Sequence, residues 1–175
     1  MTAGVIEAML TGGHPNSLGR TVEVVDLVLA DQSALADLYD CYFSDDDVVR
    51  LRVSSAMKRV TIEHPEWTIA LMDRLQTDVA AIDQASTQWT LALLFDLTKK
   101  LQTSAQRARS VEIMKNNLAD HDDWIVLNTT MQVLHDWSRD DRLLSDWLAP
   151  HLERLVDDRR SSVSKRAAKL LASVR

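Results

Sequence analysis

Beyond about residue 20 the chain consists of segments of about 15–20 residues in which apolar side chains recur three, four and seven positions apart. That spacing gathers them into one stripe on an α-helix. Helices are expected near 20–30, 33–43, 46–61, 66–82, 86–101, 104–119, 122–138, 141–156 and 161–174. A shorter helix precedes them, with Val5, Ile6, Met9 and Leu10 at helical spacing. Start signals mark the boundaries. Ser44 stands before Asp45, Asp46 and Asp47, whose carboxylates suit the positive end of a helix. Pro65 suits a first helical position. Ser104, Asp122 or Asp123, Asp140 or Asp141, and Ser161 or Ser162 are further cap candidates. No segment reads as a strand, so the fold class is all-α.

All four glycines, Gly4, Gly12, Gly13 and Gly19, fall in the first 19 residues. The remaining 156 residues contain none, and a chain without glycine is poor in hairpins and tight turns. Residues 11–16, TGGHPN, read as a loop. The expected organisation is an N-terminal segment, 1–19, with a flexible loop, followed by one helical domain, 20–175.

The second helix of each pair can be laid on the next. From an apolar origin, positions four, seven and eight places on give Val49, Val53, Ala56 and Met57. The next unit gives Trp89, Leu93, Asp96 and Leu97; Asp96 here and Thr130 in the unit after it are the weak members of the pattern. Then come Val126, Thr130, Val133 and Leu134, and finally Val163, Ala167, Leu170 and Leu171. The origins lie 40, 37 and 37 residues apart. A period near 40 with two helices per unit points to an α-solenoid, in which each helix pair covers the apolar face its neighbour cannot bury alone.

Residues 148–171, LAPHLERLVDDRRSSVSKRAAKLL, resemble the HEAT repeat. Leu148, Pro150, Leu152 and Leu155 stand for the first helix, Asp158 for the turn aspartate, and Val163, Ala167 and Leu171 for the second helix. Val49-Arg50 resembles the Val-Arg pair of that second helix, whereas Thr90, Leu127 and Ser164 replace the arginine elsewhere. The resemblance, to HEAT-like or armadillo-type helical repeats, implies a right-handed α-α superhelix of about four helix pairs.

Charge and composition narrow the function. Residues 1–98 carry 6 Lys/Arg against 15 Asp/Glu, 99–138 carry 5 against 5, and 139–175 carry 9 against 6. A net charge of −6 opposes nucleic-acid binding, which depends on neutralising phosphates. Cys41 is the single cysteine, which excludes an intramolecular disulfide and a multi-cysteine zinc site. No apolar run reaches membrane-spanning length, and the first ten residues carry no Lys or Arg of a signal peptide. A cytoplasmic location is expected, with no cofactor and no metal.

Catalytic signals are thin. With no glycine beyond Gly19 there is no phosphate loop in the helical body, and neither a Gly-x-Ser-x-Gly elbow nor a His-Glu-x-x-His pair occurs. Adjacent residues on a helix diverge by about 100°, so His135 and Asp136 are poorly placed to share a metal. In a HEAT-like stack the second helices line the concave face. Placing the repeat origins inward turns Leu91, Leu94, Phe95, Met131 and His135 toward that face, with Lys58 on one side and Lys165 and Lys169 on the other. The expected function is a non-catalytic scaffold that binds an acidic-flanked protein or peptide in this groove. The alternatives are a HEAT-like alkylated-base DNA glycosylase or a lyase subunit. Self-association through the last helix is a further expectation.

Overall fold

A computed structural model describes residues 3–14 and 17–174, so Pro15 and Asn16 of the expected loop lie outside the described residues. The order is α1 (Ala3–Leu10), α2 (Thr21–Ala30), α3 (Ala34–Asp40) and a 3-10 turn (Cys41–Phe43). Next come α4 (Asp47–Glu63), α5 (Pro65–Ile69), α6 (Met72–Arg74) and a wide π-type turn (Leu75–Val79). The rest is α7 (Ala85–Thr98), α8 (Ser104–Asp120), α9 (Trp124–Ser138), α10 (Arg142–Val156) and α11 (Ser161–Val174). Among the described residues there is no strand.

Local chemistry sets the boundaries. The Asp46 carboxylate accepts from the Val48 amide at 2.8 Å and starts α4. Thr103 and Gln106 form a reciprocal capping box at α8. The Asp123 carboxylate accepts from the Ile125 and Val126 amides at α9, and Asp141 accepts from Leu144 at α10. The expected helix over 66–82 is instead interrupted at Ala70 and Leu71 and widened over Leu75–Val79. Its inward positions still hold, with Thr68, Met72, Leu75 and Val79 fully buried. Pro150 sits inside α10 on its exposed side.

The chain divides into two compact units, Met1–Gln102 and Thr103–Arg175. In the first, α4 packs on α2 and on α7, and α1 packs on α2, α3 and α4. Ile6 and Leu10 of α1 are fully buried with Val24, Val28, Leu38, Val53 and Met57. The N-terminal helix therefore belongs to a core rather than to a separate segment over 1–19. In the second unit α9 packs on α8, α10 and α11, and α10 packs on α11. Met114, Leu118, Leu134, Leu148, Leu152, Val163 and Ala167 fill that core. Each such Leu, Met or Val side chain contributes about 1.5–3 kcal/mol by leaving water.

Polar latches join successive helix pairs within each unit. The Arg50 guanidinium donates to Gln84 Oε1 at 2.6 Å and to the Ser44 carbonyl, while Gln84 Nε2 donates to the Asp47 carbonyl at 2.9 Å. In the second unit Arg160 donates to the Asp158 carboxylate and to the Asp122 carbonyl. The Asp158 carboxyl is held well below the usual carboxylate range, at about 2, by that guanidinium.

Candidate functional site

The expected groove residues divide by burial. Leu91, Leu94, Phe95 and Met131 are 0–1% exposed and belong to the cores of their units, so they offer no apolar surface to a ligand. His135 is also buried, with Nε2 against Ser173 Oγ at 2.8 Å and Nδ1 facing Asp136 Oδ1 at 3.4 Å, which gives it a structural role. Lys58 is half-buried, and Lys165 and Lys169 are exposed.

The physical reason lies in the register of α7. Taking Trp89 as the inward origin leaves Trp89 and Leu93 half-buried and Asp96 and Leu97 exposed. Moving the origin to Thr87 gives Thr87, Leu91, Leu94 and Phe95, all buried. α7 is thus turned by two residues, and Trp89 moves out of the core. Met131 follows a different rule: α9 packs on three helices, so its buried arc is wide and takes in Met131 as well as Val126 and Thr130.

What the corrected register brings to the surface is a cleft of about 320 Å³ in the first unit. Leu51, Ser55 and Lys58 of α4 form one wall, Trp89 and Thr90 of α7 the other, and Ser17 and Leu18 the rim. Three of these, Leu51, Ser55 and Lys58, are half-buried and lie beside the buried stripe of α4. Trp89 was assigned to the core by sequence. The signal against that assignment was Asp96, seven places on, which an inward stripe does not tolerate.

Arg52 lies behind the cleft and is 1% exposed. Its guanidinium donates to the carbonyls of Leu10, Gly12, His14 and Ser17 at 2.5–3.2 Å. The end of α1 and the loop after it wrap this one side chain. The wrapping explains the glycines: Gly12, Gly13 and Gly19 have φ of 77°, 74° and 53°. At Gly19 a Cβ would stand 2.9 Å from Arg52 Cζ. Only carbonyl dipoles, and no carboxylate, bond the guanidinium among the described residues. Lys58 makes no hydrogen bond or ion pair with the described residues. None of the cleft's lining residues is acidic, and Lys58 is the one charged side chain of its walls that is not fully buried.

Other candidates carry less. The Cys41 thiol is buried, which pushes its pKa up to about 12 and keeps it protonated. Among the described residues no group of three or more His, Cys, Asp or Glu side chains is arranged to hold a metal ion. No helix among them is long and apolar enough to cross a membrane. Of the five tryptophans only Trp137 is buried; Trp67 stacks on His64 at 3.9 Å, Trp147 on His151 at 4.0 Å, and Trp124 is 49% exposed. No protein family, curated protein or solved structure matches the chain.

Proposed function

We propose that the chain is a non-catalytic interaction module, a short HEAT-like solenoid that binds an acidic segment of a protein partner. The site is the cleft between α4 and α7. The packing of alternate helices within each unit, α2 on α4 on α7 and α9 on α11, supports the solenoid reading. The observation that carries the binding reading is the charge of the cleft: Lys58 stands on its wall without an ion pair among the described residues, buried Arg52 lies behind it, and no carboxylate lines it.

A volume of about 320 Å³ lies at the small end of ligand pockets and suits one or two side chains of an extended peptide. Lys58 attracts the carboxylate, the Ser55 hydroxyl offers a further hydrogen bond, and Trp89 and Leu51 present apolar area to the neighbouring residue. Tryptophan walls of this kind anchor bound segments at low entropic cost.

Panning a random peptide library on the intact chain tests the reading. Recovered peptides are expected to be enriched in Asp or Glu beside an apolar residue, and Lys58→Glu is expected to abolish the enrichment. Capture of duplex DNA in preference to peptides, salt-sensitive and retained by Lys58→Glu, would instead favour the repair-enzyme alternative.

A further inference from the structure

The exposed faces of α2 and α11 have opposite charge. α11 carries Lys165, Arg166 and Lys169 and no acidic residue. Lys165, Ala168, Lys169 and Ala172 are exposed at spacings of three, four and seven, so they form one stripe. Arg166 is engaged with Gln132 Oε1 at 3.1 Å, whereas Lys165 and Lys169 make no ion pair with the described residues. Ala168 and Ala172 are the small members of that stripe, between the two lysines and beyond them.

α2 carries Glu23 and Asp26 and no basic residue. Its exposed positions Val22, Asp26 and Ala30 are four apart and share a face, with Val22 49% exposed. Glu23 is paired with Arg20 at 2.9 Å, whereas Asp26 makes no ion pair with the described residues. Leu18, beside it, is 45% exposed.

We propose that α11 of one copy of this chain docks on α2 of a second copy. Val22 packs against Ala168 and Ala172, and Asp26 meets Lys165 and Lys169. The contact continues between copies the step already made within each unit, where α2 lies on α4 and α9 on α11. Because two different faces meet, the interface is heterologous, and each copy keeps one face of each kind for another copy. This proposal is independent of the cleft, which shares none of these residues except Leu18 at its rim.

Sedimentation velocity on the intact chain tests it, across a wide concentration range at low and at high salt. The weight-average mass is expected to rise with concentration, and to rise less at high salt. Lys165→Glu combined with Lys169→Glu should leave a monomer, as should Asp26→Lys, with helical circular dichroism unchanged because all three side chains are exposed. Mixing the two variants should restore a mixed species, since the reversed faces match again. A wild-type monomer at every concentration overturns the proposal. So does association that survives both variants, or a mixture that stays monomeric.

Discussion

Arg52→Met keeps the aliphatic stem of a fully buried side chain and deletes its guanidinium. Four carbonyls, of Leu10, Gly12, His14 and Ser17, lose their donor together. A hydrogen bond to a charged group contributes about 1.5–3 kcal/mol, but four bonds from one group do not add, and freed loop carbonyls reach water. The expected loss is about 3 kcal/mol, which lowers Tm by roughly 6–12 °C in a chain of this size. Gly19→Ala acts on the same contact from the other side. Its φ of 53° costs a side chain about 1–2 kcal/mol, and its Cβ would stand 2.9 Å from Arg52 Cζ, so the two changes are coupled. In the Arg52→Met background the contacts with Cζ and Nη1 at 2.9 and 3.1 Å are gone, and only a flexible methyl near the former Nε position, 3.2 Å away, remains beside the backbone cost of the alanine. A double-mutant cycle by chemical denaturation should therefore give a coupling of at least about 1 kcal/mol. Additivity within about 0.3 kcal/mol, or an Arg52→Met loss below about 0.5 kcal/mol, would refute the view that this loop is held shut by one side chain.

Further outcomes follow from the same structure. Leu94→Ala should cost about 2–5 kcal/mol by denaturant unfolding, and Leu94→Asp should remove the helical circular dichroism rather than binding alone, because the residue is fully buried. Asp123→Ala removes an acceptor that serves two amides and should cost about 1 kcal/mol by the same assay; no loss would contradict its role as a cap. The Asp158 carboxyl is depressed in the fold, so its contribution is present above about pH 4 and is lost as pH falls toward 2. Unfolding followed against pH should show a shallower acid limb in Arg160→Gln, and an unchanged limb would count against the pairing.

The helices were legible in the sequence because most carry an apolar stripe, and α4, α8, α9 and α10 also begin at a capping side chain. Asp123 and Asp141 were identified among the cap candidates, and α8 through α11 begin and end close to the expected positions. The interruption at Ala70 and Leu71 was not, because the inward spacing of Met72, Leu75 and Val79 is helical whether or not the backbone continues unbroken. The groove failed for a related reason. Trp89-Thr90-Leu91-Ala92-Leu93-Leu94-Phe95 is apolar nearly all round, so periodicity alone leaves its rotation undetermined. Asp96 marked the misfit, but so did Thr130, which is buried, so a polar residue in the stripe did not by itself give the rotation. The role of Arg52 was out of reach, since its acceptors lie 35–42 residues away and are backbone carbonyls that any sequence possesses. The cluster of glycines in residues 1–19 was the visible trace of that contact.

The claim that the cleft binds acidic segments is tested most directly by NMR titration of the isotope-labelled intact chain with the peptides recovered from the library. The account predicts that amide shifts concentrate at Ser17, Leu18, Leu51, Ser55 and Lys58, that the Trp89 indole resonance moves with them, and that Lys58→Glu removes all of these changes. Shifts that map elsewhere in the chain, or that persist in Lys58→Glu, would contradict it.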